Sequence, residues 1–72
     1  MQESLYVTGI VLKQSPFGEY DRLVCLLTRE EGKITAVARG ARKPGSRLAA
    51  ATNPCAFGTF RLYEGRTSYT IS

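Results

Sequence analysis

Five short runs of β-branched, aromatic and aliphatic residues, each cut off by glycine, proline or a polar turn, constrain this chain more than any other feature. They are residues 5–13 (LYVTGIVLK), 21–28 (DRLVCLLT), 33–39 (KITAVAR), 55–63 (CAFGTFRLY) and 67–72 (TSYTIS). Such residues suit a pleated sheet. Gly9 sits in the middle of the first run, where a glycine marks a bulge or sharp bend that lets one strand serve two sheet layers. The second run is apolar almost throughout after Arg22, so periodicity alone does not separate a buried strand from a short helix. The residues just after it decide for a strand. REEGK ends a polar turn on Gly32, the mark of a hairpin whose loop closes in the left-handed region, and KITAVAR then alternates. Its Ile34, Ala36 and Ala38 share one face.

Between these runs lie a loop at 15–20 (SPFGEY), the irregular stretch 39–54, and an EGR turn before the fifth run. LAAAT can hold one helical turn before Asn53-Pro54 ends it. Five strands, a bend glycine in the first, and the longest connection between the third and fourth describe an all-β, five-stranded, partly open Greek-key barrel, the OB-fold. An SH3-like barrel, also of five short strands, is the rival. The expected core is Ile34, Ala36, Leu23, Cys25, Leu27 and Phe60, with the second strand buried on both faces. The strand aromatics Tyr6, Phe57, Phe60, Tyr63 and Tyr69 are expected inside as well.

The 72 residues are read as one domain. A chain of that size buries only about 60% of its unfolded surface, which leaves its stability marginal. The alternating pattern breaks off at Ser72, which is taken as the sign of an N-terminal fragment of a longer chain. The apolar run LYVTGIVL is eight residues long, follows Glu3, and has neither a basic leader nor the ~20 residues needed to cross a bilayer. Cys25 and Cys55 form no CxxC pair, and without histidine they cannot build a tetrahedral zinc site alone. Both are expected as buried thiols in a reducing cytoplasm.

Charge is the strongest functional signal. The net charge is +4, yet outside residues 39–47 six cations balance six anions. The whole excess lies in ARGARKPGSRLA, on Arg39, Arg42, Lys43 and Arg47. A localised positive field points to a polyanion. Pro44, Gly40 and Gly45 keep these cations off a regular strand, so they are expected on an adaptable loop that follows phosphates without reading sequence. A loop kept basic only for solubility is the plainer alternative, and the confinement of the entire excess to one place argues against it. Single strands also need rings on which bases stack. Phe17 and Tyr20, flanking Gly18 in the first loop, are the candidates, with Lys13 and Arg22 bordering them. No nucleophile-base pair, phosphate-cradling GxxxxGK or acid cluster is present, so no enzyme is expected. Glu30 and Glu31 are read as solvent-facing residues of a turn.

The stretch from GIVLKQSPFGEYDRLVCLLTREEGK to ARGARKPGSRLAAATNP closely resembles the N-terminal domain of the bacterial recombination mediator RecO. The resemblance spans roughly residues 6–63. Its specific part is ARGARK with the downstream SRL. The resemblance implies an OB-fold domain at the head of a longer protein whose mostly helical remainder carries, in some members, a zinc-binding cysteine cluster. It implies binding of single- and double-stranded DNA, strand annealing, and help in loading recombinase onto strands coated with single-strand-binding protein. The implied partners are RecR and, in some species, RecF. Zinc and the contact with single-strand-binding protein belong mainly to the part not present in this sequence.

Overall fold

The computed structural model describes residues 4–65 and 68–71. The order is β1 (Ser4–Phe17), β2 (Asp21–Thr28), β3 (Gly32–Ala38), α1 (Arg47–Ala51), β4 (Phe57–Glu64) and β5 (Tyr69–Ile71). The strands close into a barrel in the order β1-β2-β3-β5-β4, antiparallel except where β3 and β5 run parallel. This is the five-stranded OB-fold arrangement, with α1 inside the β3–β4 connection. Arg66 of the EGR turn, and Thr67 and Ser72 at the ends of the fifth run, lie outside the described residues.

β1 is the longest strand because it serves two neighbours. Ser4–Ile10 pair with β4, and Gly9–Phe17 pair with β2. Gly9 stands in the overlap, opposite both Thr28 and Gly58. A Cβ on Gly9 would come within 2.6 Å of the Leu27 carbonyl oxygen. Only glycine therefore lets β1 and β2 approach where the strand is shared. The irregular register itself falls a little later, between Val11 and Lys13.

The core follows from the register. Residues directly opposite in an antiparallel pair share a face. Val24 faces Ala36 and Leu26 faces Ile34, so the alternation in β3 sends Val24 and Leu26 inward. Both are fully buried beside Val7, Val11, Ala36, Ala38, Leu62 and Ile71, with Phe60 nearly so and Ile34 packed against the cluster. The expected core is thus right for Ile34, Ala36 and Phe60, right for the burial of Cys25, and wrong for Leu23 and Leu27. Leu27 is 47% exposed, Leu23 is half-buried, and Cys25 is covered on the outer face rather than in the core cluster. A barrel has one interior, so Leu23 and Leu27, out of phase with Val24, face away from it however apolar they are. The same parity corrects the aromatics. Tyr6 and Phe57 point outward and are 63% and 73% exposed, while Tyr63 and Tyr69 are half-buried.

The REEGK hairpin forms as expected, with Gly32 at φ 70°. Buried Thr28 holds it: its hydroxyl accepts from the Glu31 N–H at 2.9 Å and donates to the Gly32 carbonyl at 2.8 Å. Glu30 and Glu31 are exposed but not idle. The Glu30 carboxylate accepts from the Thr8 N–H at 2.8 Å, and the Tyr69 hydroxyl reaches Glu31 at 3.4 Å. Partial burial, then the nearby charges of Glu31 and Glu64, push the Tyr69 hydroxyl above the ordinary tyrosine range. Its neutral form is the one the fold favours, so this contribution is complete below pH ~10 and fades as pH rises through the raised value.

The two thiols part company. Cys25 is buried, as expected of it, whereas Cys55 is exposed at φ 72°, in the turn between α1 and β4. Its exposure runs against the expectation of burial. A thiol reagent should therefore label Cys55 rapidly and Cys25 only after denaturant is added. Counting labelled sites by mass spectrometry checks it, and fast labelling of Cys25 in the native protein would contradict the burial of that side chain.

Candidate nucleic-acid interface

The basic segment 39–46 is a succession of tight turns, with Gly40 and Gly45 at positive φ. It is not the free strap its composition suggests. Ala41 is fully buried and pins its middle. The Gly40 N–H donates to an Asp21 carboxylate oxygen at 2.7 Å, and the Arg42 N–H donates to the Tyr20 carbonyl at 2.8 Å. The Arg42 guanidinium donates to the Gly18 carbonyl at 3.1 Å. Two loops distant in sequence, 18–21 and 39–43, are thereby locked into one surface.

That surface brings together most of the residues singled out from sequence. Arg39 and Lys43 line a cavity of about 330 Å³ beside Tyr20, and the Lys43 ammonium lies 5.6 Å from the Tyr20 ring centroid. Arg39 also borders a larger cavity of about 590 Å³ with Arg47 and Ser46. Phe17, at the end of β1, and Tyr20 are 47% and 45% exposed, so both present their rings to solvent. Arg39, Lys43 and Arg47 are exposed cations whose side chains make no hydrogen bond among the described residues, while Arg42 is partly committed to carbonyls. Guanidinium and ammonium groups held beside exposed rings can take phosphate oxygens and stack bases.

Two of the singled-out residues go elsewhere. Arg22 shares the inward parity of Val24 and Leu26, which places it at the barrel end beside α1. Its guanidinium donates to the Ala49 carbonyl at 2.9 Å and to the Thr52 hydroxyl at 3.0 Å. Thr52 is fully buried and donates in turn to the Leu48 carbonyl at 2.6 Å. Arg22 thus ties the last turn of α1 to the barrel. Replacing it with alanine strands those acceptors and should cost about 1.5–3 kcal/mol in urea unfolding. A loss below ~0.5 kcal/mol would deny it this role.

Lys13 lies on the outer sheet face, where it lines a cavity of about 460 Å³ with Lys33, Cys25 and Thr35. Sequence reasoning overlooked Lys33. The hairpin register carried the signal, since Lys33 faces Leu27 and so shares the outer face of β2. It also overlooked Ser46, whose hydroxyl accepts from the Leu48 N–H at 3.1 Å and starts α1.

Comparison with known proteins agrees with this picture. The family model described as "Recombination protein O N terminal" matches residues 1–72. A DNA repair protein RecO from Heliobacterium modesticaldum is 49% identical over 64 residues, covering 89% of this chain and 23% of that protein. The corresponding protein of Symbiobacterium thermophilum is 50% identical over 66 residues, covering 92% and 26%. That of Bacillus subtilis is 54% identical over 56 residues, covering 78% and 22%. The chain spans about a quarter of the length of these relatives. With the barrel, the basic turns and a match along its entire length, the chain belongs to the family of RecO N-terminal domains.

Proposed function

We propose that this domain is the DNA-binding module of a recombinational-repair protein, and not an enzyme. It holds the backbone of single- or double-stranded DNA without sequence specificity and so supports strand annealing and recombinase loading. Its place of action is the cytoplasm, at the nucleoid, with RecR and in some species RecF as partners. Contact with single-strand-binding protein falls to parts outside this domain. One observation carries the reading: of the four cations that hold the positive excess, Arg39, Arg42 and Lys43 sit on turns packed against the loop that exposes Tyr20, and Arg47 follows as the first residue of α1 rather than on the loop expected for it. The names of its relatives, as DNA repair proteins, support the same direction.

The test is a salt titration of oligonucleotide binding by the wild-type chain and by a variant with Arg39, Arg42, Lys43 and Arg47 all replaced by alanine. Every phosphate that is no longer neutralised lowers the slope of log affinity against log salt by ~0.7 on single strands. A fall of roughly 2–3 across several unrelated sequences is expected. An unchanged slope in a folded variant would leave docking to a protein partner, which depends little on salt, as the account of this surface.

A further inference from the structure

The cavity of about 330 Å³ between the loops at 18–21 and 39–43 has a mixed charge that backbone binding does not explain. Arg39 and Lys43 line it, but so do Glu19 and Asp21. An acid beside phosphate-binding cations repels the phosphates they would hold. Asp21 has another duty, since its carboxylate accepts from the Gly40 N–H at 2.7 Å and fixes the two loops together. Glu30 and Glu31 likewise accept from the Thr8 N–H and the Tyr69 hydroxyl. Glu19 is exposed, and among the described residues its carboxylate accepts no hydrogen bond, although two cations line the same cavity. The Lys43 ammonium lies instead over the Tyr20 ring, 5.6 Å from its centroid. The cavity therefore offers two cations, one uncommitted carboxylate and a ring on a residue that is 45% exposed.

We propose that this cavity takes one unpaired guanine of a DNA single strand, with Glu19 as the group that selects it. The inference rests on the DNA-binding reading and adds a base preference at one nucleotide, while the grip on the backbone stays independent of sequence. Guanine follows from its hydrogen-bonding edges. Its N1–H and N2–H donate side by side, and the two oxygens of one carboxylate can accept both. Its O6 and N7 accept side by side, and arginine is their usual donor. Cytosine and adenine present a donor next to an acceptor, so a carboxylate gains one bond and faces a lone pair. Thymine's single N–H stands between two carbonyls. Arg39 suits O6 and N7, Tyr20 supplies the stacking surface, and Lys43 can leave the ring for a neighbouring phosphate. A duplex does not fit, because there the guanine's donors are already paired and both its faces are stacked. The bonds from Gly40 to Asp21 and from Arg42 to Tyr20 hold the cavity's walls before the strand arrives, which lowers the ordering cost of binding.

The probes are a short thymidine oligonucleotide and the same strand with one central guanine, each titrated with the 72-residue chain at low salt and followed by fluorescence anisotropy. The guanine should tighten binding by about fivefold or more. Inosine in its place, which lacks the N2 amine, should lose most of that gain. Glu19→Ala, with folding checked by circular dichroism, should abolish the preference and at the same time strengthen binding of the plain thymidine strand, because a negative charge leaves a basic surface. An acid that only tempers the local charge would give the second change without the first. Equal binding of both strands by the wild type, or a guanine preference that survives Glu19→Ala, overturns the proposal. Failure of the wild type to bind either strand overturns the DNA-binding reading itself, and this inference with it. Guanosine 5′-monophosphate should displace the guanine strand only at a far higher concentration than the strand's own. Displacement at equal concentration would make a free nucleotide the ligand and overturn the assignment to a strand.

Discussion

Gly9→Ala is expected to bring the barrel close to unfolding, whereas Gly58→Ala, directly across β1 and β4, is expected to be nearly neutral. The two glycines face each other in the same ladder. Neither has the left-handed backbone that only glycine readily adopts. What differs is the space waiting for a methyl group. At Gly9 the new carbon would sit 2.6 Å from the Leu27 carbonyl oxygen and 3.1 Å from the Thr28 Cα, both backbone atoms that move only if β2 moves. At Gly58 it would meet nothing within 4 Å. Overpacking of this kind costs about 1–3 kcal/mol, and more when the obstacle is backbone. A 72-residue domain has about 4–11 kcal/mol in total. Urea denaturation followed by circular dichroism should show a large fall in midpoint for Gly9→Ala and a shift below ~1 kcal/mol for Gly58→Ala. Equal losses at both sites would mean that strand propensity, and not the close approach at Gly9, sets the requirement.

The second large effect concerns how the four clustered cations divide the work of holding DNA. Arg39, Lys43 and Arg47 present their charges outward, while Arg42 donates to the Gly18 carbonyl and carries a backbone bond to Tyr20. Replacing the first three with alanine should lower the single-strand salt slope by about 2, at ~0.7 for each phosphate released. Adding Arg42→Ala should change the slope by less than a full contact while costing some stability, because it removes the guanidinium bond to the Gly18 carbonyl and leaves the backbone bond to Tyr20 in place. Arg22→Ala should leave the slope alone and affect only unfolding. Salt titrations of these variants, of the single variants Arg39→Ala and Arg42→Ala and of the wild type, each with a matched urea curve, separate the outcomes. If Arg42→Ala alone lowered the slope as much as Arg39→Ala, the geometric division of labour would be wrong.

Much of this protein was legible from its residues. Periodicity and turn chemistry suffice for five strands, the Thr28–Gly32 hairpin and the short helix before Pro54, because those signals are local. The surplus of charge on residues 39–47 needs only arithmetic. Gly9 could be flagged as the place where the first strand changes partners, since a glycine in a β-rich run has few other uses.

Tertiary structure decided what depends on non-local pairing. Leu27 and Val24 look equally apolar, and only the register against β3 sends one outward and the other into the core. Arg22 and Lys13 look like two more cations beside an aromatic loop. Parity turns Arg22 into a structural clamp on α1 and places Lys13 beside Lys33 on another face. The anchoring of the basic turns on Asp21 and Tyr20 joins loops far apart in the chain, so no local pattern announces it. A closed barrel has one inside, and which side chains reach it is settled by how strands pair, not by how each one reads alone.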